Sequence, residues 1–304
     1  MIVHNARQRE PDSDQPRFLV RYWGVRGSIA TPGPETVRYG GNTTCVEIVC
    51  DETRLIIDMG TGARVLGSAL MADVPPEGVA ATVLFSHFHT DHVIGFPFFA
   101  PLYDARTELA IYVNADDHVA SLDGLRAVMS YPLFPVEYDT LPARLDIRPV
   151  EAGTPFDVGP ATVTACRICH PGGALAYRIE HRGRVFVHAS DVEHGDATSD
   201  AALRELCRGA DWVSYDAMYV EGHDYEGHEG WGHSTWQAAI RLLDDADARH
   251  LVVTHHAPDH DDSFMDGVAR DVERARPGSL VAREGLTIDL LDRAPAAPTK
   301  NESE

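Results

Sequence analysis

Ser86-His87-Phe88-His89-Thr90-Asp91-His92 follows directly on the apolar, β-branched run Ala81-Thr82-Val83-Leu84-Phe85. A His-x-His-x-Asp-His cluster in that place has the donor types and spacing of half of a two-metal site. His87 and His89 lie two residues apart, so in an extended stretch both rings point to the same side and can hold one ion. Asp91 and His92 sit where the chain would turn into a helix, and their different direction suits a second, neighbouring ion. Imidazole with carboxylate favours zinc, with manganese or iron as further occupants.

The rest of the chain supplies matching donors in a consistent order, which a solvated loop with chance histidines would not require. His170 follows the strand-like 161–168, Asp191 follows the β-rich 184–190, and His255 follows 249–254. A carboxylate at Asp191 could bridge two ions. Each candidate falls just past a predicted strand, where rigid elements deliver loop residues to one edge of a sheet core.

The order of these residues, with Leu55-Ile56-Ile57-Asp58-Met59-Gly60-Thr61-Gly62 ahead of them, resembles the metallo-β-lactamase superfamily of metallohydrolases over roughly Phe18 to Leu290. The resemblance implies a four-layer αββα sandwich of α/β class with two divalent metal ions. His87, His89 and His170 would hold one ion, Asp91, His92 and His255 the other, with Asp191 bridging. Asp58 would be the buried carboxylate that orients ligand imidazoles. His256 adjoins His255, and the sequence leaves an exchange of their roles open; the Thr254-His255 step straight after the strand matches the family pattern.

Gly232-His233-Ser234-Thr235 opens a helix-like run that leads into the strand before His255. Ser234 or Thr235 would serve as an N-cap, which on periodicity alone accounts for the motif. The arrangement also resembles the phosphodiesterase branch that contains RNase Z and cyclic-phosphate phosphodiesterases. That resemblance implies that His233 is a general acid and Asp216 its acidic partner, since a carboxylate beside an imidazole favours the protonated ring. Asp91 joins them as a catalytic residue, and Trp231 and Ser234 are expected to touch substrate. Two ions about 3.5–4 Å apart lower the pKa of a bridging water, giving a hydroxide nucleophile. The leaving alkoxide still needs a proton, which separates phosphodiester cleavage from β-lactam or lactone opening.

Charge narrows the substrate. A net charge of −21 leaves no obvious basic face for a polyanion, so a long nucleic acid is disfavoured. Bacterial RNase Z enzymes carry a tRNA-binding arm between the residues matching His170 and Asp191; here 171–190 reads as a hairpin turning at Arg182-Gly183. A small-molecule phosphodiester remains, with a 3′,5′-cyclic nucleotide first. Trp23-Gly24-Val25-Arg26-Gly27-Ser28, Tyr39-Gly40-Gly41-Asn42-Thr43 and Gly230-Trp231-Gly232-His233-Ser234-Thr235 resemble bacterial and phage cyclic-nucleotide phosphodiesterases of this fold. Alternatives are an RNase Z-like nuclease, a lactonase or thioesterase, and a non-catalytic nucleotide sensor, which would lack ligands. Homodimerisation is implied by the resemblance to RNase Z alone.

Other segments have simpler readings. Gly95 to Tyr103 reads as a helix packed on a sheet more readily than as an aromatic wall for a base. Glu221 to Gly230 reads as a solvated, glycine-rich lid rather than a third metal site on His223 and His228. Cys166-Arg167-Ile168-Cys169-His170 fits a haem-attachment pattern, but it falls on a strand delivering His170, and the polar stretch Met1 to Arg17 has no export signal. Five scattered cysteines suit reduced thiols and a cytoplasmic location.

These residues need elements to position them. The patterning predicts strands near 18–24, 44–50, 54–58, 82–86, 109–113, 161–168, 175–180, 184–189, 212–215, 250–254 and within 279–290. Helices are predicted over 63–72, 115–130, 198–208, 234–244 and 262–276. A single domain over 17–292 is long enough to bury a large core. Residues 1–16 and 293–304 read as disordered tails, and no run approaches the ~20 apolar residues of a membrane span.

Overall fold

The computed structural model describes residues 16–292, so the expected tails, apart from Pro16, lie outside the described residues. The first half runs β1 (Phe18–Gly24), β2 (Cys45–Cys50), β3 (Thr53–Ile57), α1 (Gly62–Ala72), β4 (Ala80–Leu84), α2 (Thr90–Val93), β5 (Glu108–Asn114), α3 (His118–Val128) and β6 (Arg144–Val150). The second runs β7 (Phe156–Val158), β8 (Ala161–Ile168), β9 (Ala174–His181), β10 (Arg184–Ala189), α4 (Ala197–Cys207), β11 (Trp212–Asp216), α5 (Trp236–Asp245), β12 (His250–Thr254), α6 (Asp262–Ala275), β13 (Leu280–Val281) and β14 (Thr287–Asp289).

Strand alternation explains the layers. In β1, Phe18, Val20 and Tyr22 point inward and are fully buried, joining Ile48, Val163, Tyr177, Ile179 and Phe186 in a core between two sheets. The sheets have the orders β14-β1-β2-β3-β4-β5-β6 and β13-β12-β11-β10-β9-β8-β7. The opposite face of the first buries Ile56, Val83 and Ile111 with Leu66 of α1 and Leu125 of α3. The opposite face of the second buries Val187, Val213, Leu251 and Val253 with Leu203 of α4, Leu243 of α5 and Met265 of α6. In α6, Met265, Val268 and Val272 are buried at helical spacing, the stripe an amphipathic helix turns to a core. The result is the four-layer αββα sandwich.

Local signals set the boundaries. Thr235 caps α5 by accepting from Ala238 N at 3.1 Å, and Asp261 caps α6 by accepting from Phe264 N at 2.7 Å, each meeting an otherwise orphaned N–H. β9 and β10 form a hairpin whose turn residues Arg182 and Gly183 have φ of 51° and 73°, as a two-residue turn of matching twist requires. That hairpin accounts for most of 171–190.

Several elements depart from expectation. β6 and β7 are additional strands at the sheet edges. β6 carries Arg144, Asp146, Arg148 and Pro149 and is largely exposed, the composition that protects an edge and hides it from a hydrophobicity pattern. Gly95 to Tyr103 forms two 3₁₀ turns, Phe96–Phe98 and Ala100–Tyr103, with Pro97 and Pro101 early in each; proline prevents a continuous α-helix. Phe96 and Phe99 are core residues. The 279–290 run divides into β13 and β14, which belong to different sheets. Among the described residues no helix is long and apolar enough to cross a membrane.

Phe186 is fully buried between the sheets. Phe186→Ala should lower unfolding free energy by about 3–5 kcal/mol, measured by urea denaturation; a loss below 1 kcal/mol would show that the inter-sheet core is not packed as described.

Candidate metal centre

Most of the chemistry-bearing residues arrive at one edge of the sandwich from strand ends. Asp58 follows β3, His87 and His89 follow β4, and Asp91 and His92 lie on α2. His170 follows β8, Asp191 follows β10, Asp216 ends β11 and His255 follows β12. Asp58, Asp191 and His255 have φ of 60°, 59° and 61°. Left-handed backbone is uncommon for such residues and persists where surrounding contacts over-determine it.

Three donor sets converge within 4.8 Å, among them Asp191, Asp216, His233 and His255; the two that match the expected ligands are His87, His89, His170 and Asp191, and Asp91, His92, Asp191 and His255. Asp191 belongs to both. Its Oδ1 lies 3.9 Å from His87 Nε2, 3.7 Å from His170 Nε2 and 3.3 Å from His255 Nε2, and its Oδ2 lies 2.9 Å from His92 Nε2. Asp91 Oδ2 is 3.2 Å from His92 Nε2 and 3.8 Å from His255 Nε2. His89 Nδ1 approaches His170 Nε2 to 3.0 Å.

The outward nitrogens are committed elsewhere. His92 Nδ1 donates to Asp58 Oδ2 and His170 Nδ1 donates to Gly232 O, both at 2.8 Å. His255 Nδ1 lies 3.0 Å from Ser190 Oγ and 3.2 Å from Thr44 Oγ1, and His87 Nδ1 lies 3.1 Å from Ser86 Oγ. For His92 and His170 these partners fix the tautomer that leaves the Nε2 lone pair facing the cluster. Nε2 of His87, His92 and His255 is buried and makes no aligned hydrogen bond despite the nearby carboxylates. Buried polar atoms are ordinarily paired, so three orphaned nitrogens aimed at two carboxylates fit a divalent cation.

Electrostatics show the strain of this crowding. Burial alone would raise the Asp191 carboxyl, but His255, His92 and His87 outweigh it and hold it well below the usual range. Burial opposes charge on His255, yet Asp191, Asp216 and Asp91 push that ring up to about 9. Burial and the neighbouring His92 drive His87 well below the ordinary histidine value.

His233 lies on the open side, with Nδ1 2.8 Å from Asp216 Oδ2 and 4.0 Å from Asp191 Oδ1. Its ring stacks on His255 at 5.1 Å. Asp216 is fully buried behind it, and Oδ1 accepts from Met218 N at 2.9 Å.

The neighbours of these residues divide. His256 turns away: its Nε2 donates to Ala282 O at 2.8 Å, and burial pushes the ring down to about 3. Trp231 is 60% exposed at the rim. Ser234, expected to touch substrate, is fully buried; it receives the Tyr215 hydroxyl at 3.1 Å and lies 2.7 Å from His194 Nδ1. Its hydroxyl is therefore enclosed behind His233 rather than presented to a ligand. His228 Nδ1 donates to Asp224 O at 2.6 Å, and among the described residues neither it nor His223 joins a group of three metal donors.

Other supporting residues went unassigned by sequence. A Cβ on Gly27 would lie 2.4 Å from the His255 ring, so the close approach requires glycine. Ser28 N donates to Asp91 Oδ2 at 2.9 Å, and Glu193 accepts from Gly230 N at 2.5 Å and Gly232 N at 2.8 Å. The glycines and Ser28 are visible in the motifs, but their contacts span long sequence separations and leave no local signal.

Residues 53–256 match the model of the family described as Beta-lactamase superfamily domain. Similar solved structures include the metallo-beta-lactamase fold protein YhfI from Bacillus subtilis, at 21% identity and TM-score 0.68 over 90% of this chain and 100% of that one. A diphosphatase from the PhnP family is similar at 17% identity and TM-score 0.63, over 90% of this chain and 97% of that one. Human tRNase Z, short form, is similar at 19% identity and TM-score 0.59, over 90% of this chain and 99% of that one. No curated protein matches the sequence. At these identities the structural likeness establishes the fold.

Asp58 accepts from Ser86 N at 2.8 Å and Ser86 Oγ at 2.7 Å as well as from His92. Asp58→Asn replaces one accepting oxygen with a donor and should weaken divalent-metal affinity ~10–100-fold, measured by chelator competition. Undiminished affinity would mean that Asp58 does not orient His92 for metal.

Proposed function

The chain belongs to the beta-lactamase superfamily, and from that premise we propose that it is a dinuclear-metal phosphodiesterase for a small phosphodiester, foremost a 3′,5′-cyclic nucleotide. His87, His89 and His170 would hold one ion, Asp91, His92 and His255 the other, and Asp191 both, with zinc best suited to the donors. Such ions, when bound, supply Lewis acidity and lower the pKa of coordinated water.

The observation that carries the reading is the His233–Asp216 pair, 2.8 Å apart beside Asp191. Cleavage of a phosphodiester with an alkoxide leaving group needs a proton on the departing oxygen. His233 donates it from Nε2, because Nδ1 is engaged by Asp216. Asp216, buried and bound also to Met218 N, fixes the ring and balances its positive charge. Asp91, held by Ser28 N, accepts the proton of the attacking water. Trp231 offers an exposed ring to the substrate beside this acid.

A small substrate is supported by the net charge of −21 and by the tight β9–β10 hairpin, which leaves no projecting arm. Neighbours of the same fold named as a diphosphatase and a tRNase Z support a phosphate ester without choosing between sizes.

Metal-reconstituted protein should prefer 3′,5′-cyclic nucleotides in a panel with 2′,3′-cyclic nucleotides, bis(p-nitrophenyl) phosphate, a precursor tRNA and a lactone. Turnover of only the tRNA or the lactone would overturn the proposal. His233→Ala should keep its metal and lose ~10²–10⁴-fold in turnover of the cyclic nucleotide. Its loss on bis(p-nitrophenyl) phosphate should be much smaller, since nitrophenolate leaves without a proton. Equal losses on both would remove His233 as the acid.

A further inference from the structure

A cavity of about 220 Å³ opens beside His87 and His89 and continues away from the His/Asp cluster. Its lining includes Phe88, Ala120 and Ser121 of α3, Pro171 of the loop after β8 and Asn114 at the end of β5. It occupies the crevice at the carboxyl ends of the parallel strands β4 and β5, where α/β sheets commonly receive ligands. None of its lining residues is a lysine, arginine or carboxylate. Away from His87 and His89 the lining is mainly apolar, with Ser121 a polar side chain on the α3 side, which suits an uncharged group.

We propose that this cavity seats the nucleobase of the substrate while the phosphate lies over the His/Asp cluster; the inference rests on the phosphodiesterase reading. Size supports one ring system. Pockets for whole drug-sized ligands run to ~300–1,000 Å³, so this cavity is too small for an entire nucleotide but is continuous with the site that would take the remainder. Phe88 supplies a π surface on which any base can stack. The ring is held in place: it packs on Phe85 with centroids 4.8 Å apart, and a Cβ on Gly124 of α3 would lie 3.0 Å from its edge. The alternation that turns His87 and His89 toward the cluster turns Phe88 the other way, so one short segment builds both subsites.

A larger cavity, about 530 Å³, is lined by none of the His/Asp cluster residues. It lies at the opposite ends of β4 and β5, and its arginines are neutralised: Arg54 by Glu47, Arg144 by Glu108 and Arg148 by Asp146.

Ala120 is exposed on α3, so Ala120→Trp fills the cavity with little demand on the core. Calorimetric titration of the full chain with adenosine, a base without phosphate, should show binding weakened at least tenfold in Ala120→Trp and retained in Ala120→Ser. The kcat/KM for 3′,5′-cyclic AMP should fall at least tenfold relative to that for methyl p-nitrophenyl phosphate, which carries no base. Adenosine binding that is absent from the wild type or equal in Ala120→Trp, or an equal fall for both substrates, would overturn the proposal. If no phosphodiester is turned over but adenosine binding is lost in Ala120→Trp alone, the base site stands and the assigned reaction fails.

Discussion

The Asp191 carboxylate is the point on which the arrangement depends. It is buried and lies within 4 Å of His87, His92, His170 and His255. A carboxylate so enclosed is costly unless compensated, and four imidazoles cannot all compensate it by hydrogen bonding. The orphaned Nε2 atoms of His87, His92 and His255 express the same unmet demand. Two carboxylates among inward-facing imidazoles resolve this conflict when they share cations, so the donor chemistry and the desolvation cost lead to one conclusion.

Such a cluster requires rigid support, which the two sheets supply in different ways. In the first, Asp58 binds Ser86 and His92 together, fixing the turn after β3 to the turn after β4. In the second, Ser190 reaches both Asp191 and the His255 ring, joining the ends of β10 and β12. Thr44, just before β2, approaches the same ring from the other sheet at 3.2 Å. The left-handed backbone at Asp58, Asp191 and His255 is the conformational cost of bending these chains sharply at the strand ends. Glycine at position 27 meets a matching steric demand.

The convergence of these His and Asp residues is legible because most of them follow a β-rich run as a polar residue just beyond it, and both signals are local. The cores were legible for the same reason: inward alternation in β1 and the apolar stripe of α6 are properties of single segments. The sequence leaves the His255–His256 choice open because adjacent residues share every local signal; long-range contacts separate them, His255 facing Asp191 and His256 bonding Ala282 across 26 residues. The enclosure of Ser234 by Tyr215 and His194 is not legible, because those contacts span 19 and 40 residues. β6 escaped notice because an edge strand carries the charges and proline that protect it.

The loop before α5 connects His233 to the His/Asp cluster through Glu193. Two residues beyond Asp191, Glu193 accepts from Gly230 N and Gly232 N, while its own N–H donates to Cys169 O at 2.8 Å. Gly232 O in turn accepts from His170 Nδ1, and His233 is the next residue. The orientation of His170 and the entry of the chain into His233 therefore rest on the same short stretch of backbone. Gly232 has φ +88°, and a Cβ there would come within 2.4 Å of the His170 ring, so no other residue permits this approach without displacing the histidine. Movement of the glycine-rich loop therefore cannot reposition His233 while leaving His170 undisturbed: the cluster and His233 form one mechanical unit.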